Sequence, residues 1–226
     1  RSTKGRSYSA CPSVADWERA FGEDDDVLAF TITSGLSGSF RAACAAKLNC
    51  EENSPSRRIC IIDSLSTGPE IVLLIEKAVS ELSAGADFDA VCRSVQDYQR
   101  RTHLIFALES LHNLAQNGRV GKLAAAAAGM LGIRAVGTTS DEGTLDLLGK
   151  CRGRKRTVDF LQEEMERLGY TGGCVRIGHC RNTDSAGELR TAILHRFPGA
   201  NIRIYTLRGL CSYYAECGGV LVGFEA

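Results

Sequence analysis

One stretch organises this sequence: Thr31-Ile32-Thr33-Ser34-Gly35-Leu36-Ser37-Gly38-Ser39-Phe40. The apolar run from Val27 to Ile32 predicts a strand that is buried on both faces. Apolar residues then recur at helical spacing, which predicts a helix beginning near Ser37 or Ser39; they are Phe40, Ala43, Cys44 and Leu48. The two glycines of the turn let backbone N–H groups approach a ligand. Because a helix N-terminus carries unsatisfied donors, an anion suits this turn, although a plain helix cap would have the same sequence.

The composition is that of a globular protein without a strong charge bias. The chain has 226 residues, of which 44% are hydrophobic and 24% are charged, enough to bury the core of one large or two small domains. Its 27 basic and 27 acidic residues create no general field that would favour nucleic acid or a membrane surface. No apolar run reaches the ~18 residues of a membrane span, and no signal peptide is visible.

The sequence contains ten cysteines: Cys11, Cys44, Cys50, Cys60, Cys92, Cys151, Cys174, Cys180, Cys211 and Cys217. No two of them form a C-x-x-C pair, which argues against a zinc ribbon or a thioredoxin-like site. Cys60, Cys92 and Cys174 occupy core-like positions, where a reduced cysteine behaves as a small apolar residue. Ordinary free thiols in a reducing compartment are favoured over metal or disulfide roles.

Residues 1–108 are predicted to form an α/β domain with a parallel sheet, because strands and helices alternate. Ser13 is expected to cap a short helix whose apolar side carries Trp17, Ala20 and Phe21. Further strands are predicted from Ile59 to Ile62 and from His103 to Leu108. The helix between them has an apolar series predicted to face the core: Ile71, Val72, Leu74, Ile75, Ala78 and Leu82. Asp63 and Ser64 follow a strand's carboxyl end, where open α/β sheets bind ligands.

Residues 109–226 are predicted to form a second, α+β domain. A short helix ends at Asn117-Gly118, and an alanine-rich helix is predicted from Lys122 to Leu131. Strands from Ile133 to Thr138 and from Thr144 to Leu148 flank Asp141-Glu142-Gly143, which is typical of a hairpin. Later strands are predicted at Val175–His179, Ile202–Leu207 and Val220–Phe224, with helices between them.

These motifs occur in the order found in the DegV family of bacterial fatty-acid-binding proteins, which the chain resembles from about Ser9 to its C-terminus. The resemblance depends on Ser34 to Phe40, Ile62-Asp63-Ser64, Leu111 to Val120, and Asp141-Glu142-Gly143 before Arg152-Gly153. It implies two α/β domains with a fatty acid between them. The acyl tail would lie in an apolar tunnel, and the carboxylate would meet hydroxyl side chains.

The resemblance also implies a set of site residues. Ser37 matches the serine that binds the carboxylate, and Ser9 stands where the family has the first threonine of Thr-Ser-Gln-Pro-Ser. Arg119 matches the arginine of a Gly-Arg pair, with a solvated arginine as the alternative. The implied carboxylate-binding set is Ser9, Ser34, Ser37, Gly38 and Arg119. The residues expected around this set are Cys11, Asp63, Ser64 and Glu216.

The sequence departs from the family pattern in two places. The family has a further N-terminal segment that carries a strand and an Asp-Ser motif, and this segment is missing here. The family's late His-x-Gly-Pro-Gly motif aligns with Ala215-Glu216-Cys217-Gly218-Gly219, so the histidine is lost. Glu216 is then expected beside the head-group site.

The resemblance implies a cytoplasmic binding protein that is not an enzyme and needs no cofactor or metal. It would present a long-chain fatty acid to a partner such as a fatty-acid kinase. One alternative is a phosphotransfer subunit resembling dihydroxyacetone kinase, and another is a degenerate member used only for protein interaction. The phosphotransfer alternative needs a reactive histidine in a loop, which the sequence does not offer.

The four histidines have weaker claims to a role. His103 is expected in the core or at a strand edge, and His195 at the surface. His112 or His179 could approach the site. Asp63 with Ser64 is thin evidence for a metal, and a phosphate-binding loop of the G-x-x-x-x-G-K-[ST] type is absent.

A basic stretch follows the hairpin and contains Lys150, Arg152, Arg154, Lys155 and Arg156. Cations at a helix N-terminus oppose the helix dipole, so this arrangement carries a local cost. We interpret Arg152, Arg154 and Lys155 as a docking site for an acidic patch on a partner protein. A solvated helix start is the commoner alternative, and nucleic acid has poor support without interleaved aromatic residues.

Overall fold

The computed structural model describes residues 7–124 and 132–226. Its strands are β1 (Asp26–Thr31), β2 (Arg58–Asp63), β3 (Thr102–Leu108), β4 (Ile133–Thr139), β5 (Leu145–Arg152), β6 (Cys174–His179), β7 (Asn201–Thr206) and β8 (Val220–Glu225). Its α-helices are α1 (Val14–Phe21), α2 (Ser39–Asn53), α3 (Pro69–Ser83), α4 (Phe88–Gln99), α5 (His112–Gln116), α6 (Arg154–Arg167), α7 (Thr183–Arg196) and α8 (Gly209–Ala215). A single 3₁₀ turn, Gly121–Leu123, lies between α5 and β4.

The N-terminal lobe is built on the parallel pair β1 and β2, which run in register from Asp26 opposite Arg58 to Thr31 opposite Asp63. Helices α1 to α4 complete this lobe. As predicted, Ser13 caps α1: its hydroxyl accepts from the Asp16 N–H, and the Asp16 carboxylate accepts from the Ser13 N–H. This reciprocal capping box satisfies two donors that a helix start leaves free.

The C-terminal lobe is a six-stranded mixed sheet in the order β5-β4-β3-β8-β6-β7. Strand β3 belongs to this sheet, where it is antiparallel to both β4 and β8. The prediction that the strand from His103 to Leu108 joins β1 and β2 in one parallel sheet was therefore wrong, because an apolar strand can be recognised from its sequence but its neighbours cannot. The division of the chain into domains at 1–108 and 109–226 stays a prediction. Strand β3, which ends at Leu108, already belongs to the sheet of the C-terminal lobe.

The hairpin prediction is confirmed, since β4 and β5 pair antiparallel around the loop at 140–144. A register shift between Val136 and Gly137 of β4 skips Leu148, so the extra residue of this bulge lies in β5. The alanine-rich helix predicted from Lys122 to Leu131 lies outside the described residues from 125 onward.

Three helix faces differ from their predicted orientation. In α3 the buried apolar residues are Leu73, Leu74 and Ala78, whereas Ile75 and Leu82 are exposed. This helix is apolar on most of its circumference, so its contacts with α4 and β8 determine which side is covered. Leu48 in α2 and Ala20 in α1 are likewise exposed rather than buried.

Two buried polar contacts join the lobes through α3. Arg176 of β6 is 3% exposed, and its Nε donates to the Glu76 carboxylate at 2.8 Å. Glu70, which is also buried, accepts a hydrogen bond from the Thr102 hydroxyl of β3 at 2.7 Å. A buried charge or polar group costs free energy unless it is paired, so both contacts favour this arrangement of the lobes.

Candidate functional site

An apolar slot of about 290 Å³ lies between the two lobes. Its apolar wall comes from both sides and includes Trp17, Phe30, Ile32, Leu36, Phe106, Leu108, Leu114, Leu145, Leu210 and Leu221. Polar side chains interrupt this wall mainly around residues 32–38, which connect β1 to α2 and are called the serine turn below. The slot therefore has the composition of a small-molecule site, apolar with a few placed polar groups.

Asp63 and Ser64 bind backbone groups and do not line the slot. The Asp63 carboxylate accepts from the N–H of Ser34 in the serine turn at 3.0 Å and from the N–H of Leu65 at 3.2 Å. The Ser64 hydroxyl donates to the Ser66 carbonyl at 2.9 Å and accepts from its N–H at 3.1 Å, within the loop after β2. Asp63 therefore supports the serine turn, whereas Ser64 supports the loop that follows β2.

Ser37 lines the slot at the start of α2. Its Oγ accepts from the Ser39 N–H at 3.2 Å, which leaves its hydroxyl proton free to be donated into the slot. Gly38 is the N-cap residue of α2 and supplies no side-chain cap. The helix therefore begins with free N–H donors near Ser37, as the glycine-serine pattern predicts. Ser34 and Gly38 are in the turn but not in the slot wall.

A hydroxyl pair also lines the slot. The Ser9 Oγ and the Tyr214 hydroxyl are 2.6 Å apart, so one donates to the other and one proton remains for a third group. Sequence reasoning found Ser9 but missed Tyr214. The only signal for Tyr214 was its place directly before the late motif at 215–219.

Arg119 reaches the slot from the segment after α5. Its Nε donates to the Leu36 carbonyl at 2.8 Å, and its Nη1 donates to the Asn117 carbonyl at 3.2 Å. The guanidinium carbon lies 5.7 Å from the centre of the Tyr214 ring. Among the described residues, Arg119 has no carboxylate partner. The structure thus places a half-buried cation in the slot wall with only neutral acceptors around it.

Cys11 and Glu216 have different surroundings. Cys11 lines the slot, and its Sγ lies 3.3 Å from the point that a Gly38 Cβ would occupy. The Glu216 carboxylate is turned away to α5, where it accepts from the Ser110 hydroxyl at 2.8 Å and the Asn113 N–H at 2.9 Å. Ala215, where the family motif has its histidine, lines the slot instead.

The histidines contribute nothing to the slot wall. His112 and His195 are exposed. His179 is buried at the end of β6, where its Nδ1 accepts from the Asn182 N–H at 3.3 Å. His103 packs against Phe224, and burial lowers the pKa of its imidazole.

The basic stretch is partly neutralised by neighbouring carboxylates. Arg154 pairs with Asp184 and Glu188, both at 2.9 Å, and Lys155 pairs with Asp159 at 3.2 Å. These pairs offset the cost of placing cations in the first turn of α6. Arg152 lies at the end of β5 and is exposed, so it is not at a helix start.

The described residues, 7–124 and 132–226, contain no group of three or more His, Cys, Asp or Glu side chains that could hold a metal ion. None of their helices is long and apolar enough to cross a membrane. All ten cysteines carry free thiols, and Cys92 is the most deeply buried of the three predicted core thiols.

The fold and the slot define a two-lobed α/β protein with an apolar pocket whose polar groups lie mainly around one turn. A family model described as an uncharacterised protein of the DegV family matches residues 2–225. The chain belongs to the DegV family, and the α/β fold predicted from its motifs is confirmed.

Individual relatives support this family assignment. A DegV domain-containing protein of Streptococcus gordonii is 41% identical over 223 residues, which are 99% of this chain and 79% of that protein. A solved DegV family protein from Eubacterium eligens, loaded with heptadecanoic acid, has a TM-score of 0.94 and 41% identity, covering 100% of this chain and 82% of that one. The Fak (fatty acid kinase) B3 protein of Streptococcus pneumoniae, loaded with linoleic acid, has a TM-score of 0.95 and 42% identity, covering 99% and 79%.

Proposed function

We propose that this protein binds a long-chain fatty acid in the slot between its lobes and presents the carboxylate to a fatty-acid kinase. The observation that carries this proposal is Arg119, a half-buried cation without a carboxylate partner among the described residues, at the polar part of an apolar slot. An uncompensated buried charge is costly, so the natural counter-ion is an anionic group of the ligand. Relatives loaded with heptadecanoic and linoleic acid support the same class of ligand.

The remaining polar groups of the slot suit a carboxylate. The hydroxyl of Ser37 and the pair formed by Ser9 and Tyr214 supply donors without adding charge. Hydrogen bonds to a charged acceptor contribute roughly 1.5–3 kcal/mol each, which orients the head group. Each buried methylene of the tail contributes about 0.8 kcal/mol, so the apolar wall supplies most of the affinity.

We infer that the protein is a carrier and not itself an enzyme. No histidine, metal-binding cluster or activated nucleophile lines the slot within residues 7–124 and 132–226. Chemistry on the carboxylate would then be performed by the partner. Free thiols at exposed positions such as Cys11 and Cys217 support a cytoplasmic location.

The test begins with mass spectrometry of lipid extracted from the purified protein. Recovery of long-chain acids is expected. Delipidated protein should then bind hexadecanoic acid and discriminate against hexadecanol, which has the same tail and no charge. If the alcohol binds as tightly as the acid, the carboxylate site assigned to Ser37 and Arg119 is wrong.

A second experiment separates the carrier from the phosphotransfer alternative. With a fatty-acid kinase subunit and ATP, the bound acid should be converted to its acyl phosphate. The protein alone with ATP should give no product. Product formed without the kinase subunit would contradict the carrier assignment.

A further inference from the structure

The slot is separated from a groove on the outer surface by a thin wall. Among the residues that the structure describes, Cys211 of α8 is the one that borders both spaces. The groove on the far side is lined by Gly68, Val72, Tyr205, Thr206, Leu207 and Arg208. The protein therefore has a lateral recess beside its ligand slot, closed at a single point.

Two small side chains and a glycine make up the closure. The Thr67 Oγ1 lies 3.7 Å from the Cys211 Sγ, and both residues line the slot. Gly68 follows with a positive φ of 55°, and a Cβ at that position would lie 3.6 Å from the Cys211 Sγ and 3.3 Å from Leu221. Leu221 also packs beside Gly68, and Thr67 and Cys211 are the two small side chains of this part of the wall.

The wall lies close to the polar end of the slot. Cys211 precedes Tyr214 by three residues on α8, which corresponds to a rise of about 4.5 Å along the helix. A ligand with its carboxylate beside Tyr214 would pass Cys211 with its first few carbons. The wall would therefore contact the part of the acyl chain next to the carboxylate and not its far end.

We propose that Thr67 and Cys211 are specificity-determining residues that exclude acids branched near the carboxylate. The inference deepens the proposed function and depends on it. A straight chain fits against the closed wall, whereas a methyl branch facing Cys211 has no free volume. A pocket discriminates against one extra methyl group by roughly 10–200-fold, which sets the size of the effect.

The experiment measures the dissociation constants of hexadecanoic acid and of its 2-, 3- and 4-methyl derivatives. The wild-type protein should prefer the straight acid by about tenfold or more over at least one of these derivatives. The ratio compared between variants is the dissociation constant of a methyl derivative divided by that of the straight acid. Each single variant, Thr67→Ala or Cys211→Ala, should lower this ratio, and the double variant should lower it by about tenfold. An acid branched at the far end serves as the ligand control, and its ratio should not change.

A bulky side chain placed in the groove tests whether a methyl branch enters this recess once the wall is opened. Val72 borders the groove but not the slot. Val72→Trp alone should leave the ratios unchanged, and in the double-alanine background it should restore discrimination. Thermal unfolding checks that each variant is folded. If the double-alanine variant does not fold, either single alanine variant replaces it.

The outcomes distinguish this inference from the proposed function. If the wild-type protein binds no straight-chain acid, both are overturned. If it binds hexadecanoic acid but the ratios are the same in wild type and the alanine variants, or if Val72→Trp has no effect in the opened background, the proposed role of the wall is wrong and the proposed function stands.

Discussion

The hydroxyl of Thr33 donates a hydrogen bond to the carbonyl of Gly143 at 2.8 Å and thereby joins the serine turn to the tip of the β4–β5 hairpin. The same oxygen accepts from the Gly35 N–H at 3.0 Å. A Cβ at Gly35 would lie 2.8 Å from the carbonyl oxygens of Glu142 and Gly143. The two lobes therefore meet beside the slot through the Thr33 hydroxyl and the hairpin backbone, and close contact requires glycine at both Gly35 and Gly143.

Replacing Gly143 by alanine should destabilise the protein by more than about 2 kcal/mol, because two costs combine. Gly143 has a φ of 72°, and its Cβ would lie 1.9 Å from the Thr33 Oγ1. Gly85→Ala is the matched control, since Gly85 has a φ of 85° just after the end of α3 and no atom within 4 Å of its Cβ position. It should lose only the backbone strain, about 1–2 kcal/mol. Urea unfolding measures both, and equal losses would contradict the predicted contact.

Ser37→Ala should weaken binding of hexadecanoic acid by about 1–3 kcal/mol, because a charged acceptor would lose a donor. Isothermal titration calorimetry measures the change. Ser13→Ala is the control, since it removes the cap of α1 outside the slot. That variant should lose about 1 kcal/mol of folding stability with an unaltered dissociation constant. A Ser37→Ala protein with wild-type affinity would remove Ser37 from the carboxylate site.

Arg119→Ala should lower the affinity for a long-chain acid by about tenfold or more, since a charge-assisted contact contributes roughly 1.5–3 kcal/mol. It should also lower stability slightly, because the bond to the Leu36 carbonyl is lost. Arg190→Ala on the exposed side of α7 is the control and should change neither quantity. If Arg119→Ala also changes neither, the alternative of a solvated arginine is correct.

Glu70 should make folding stability fall as the pH rises. Burial raises the pKa of its carboxyl above the ordinary value, so the folded state holds this proton more tightly than the unfolded state does. Stability then decreases from the unfolded pKa upward, until the pH exceeds the folded pKa. Glu70→Gln should be more stable than wild type at pH 8 and about equal at pH 4, by urea unfolding. The same stability difference at both pH values would contradict this prediction.

Arg152→Glu tests the predicted docking role of the basic stretch. Arg152 is exposed and has no ion-pair partner among the described residues, so its reversal should leave folding intact. Turnover of the bound acid by a fatty-acid kinase should fall at low salt, because charge complementarity acts mainly on the association rate. Arg154→Glu is a less specific test of docking, because it also breaks the ion pairs with Asp184 and Glu188. Equal turnover by Arg152→Glu and wild type would remove this residue from the interface.

Local features of the structure follow from the sequence alone. The strand before the serine turn, the cap at Ser13 and the β4–β5 hairpin each depend on residues a few positions apart. Their signals are periodicity, capping and turn chemistry, which act within one element. The serine turn indicated Ser37, and the family resemblance implied Ser9 and Arg119. All three line the slot, and their binding roles stay predictions.

Long-range contacts decided what the sequence left open. The sheet that β3 joins, and the side of α3 that is covered, depend on partners distant in the chain, because both elements are apolar on more than one face. The Asp63 carboxylate accepts a hydrogen bond from the N–H of Ser34. The Tyr214 hydroxyl forms a hydrogen bond with Ser9, which lies 205 positions earlier in the sequence. Local sequence determines which groups a segment offers, whereas burial and hydrogen-bond pairing between segments determine which of those groups remain free to face a ligand.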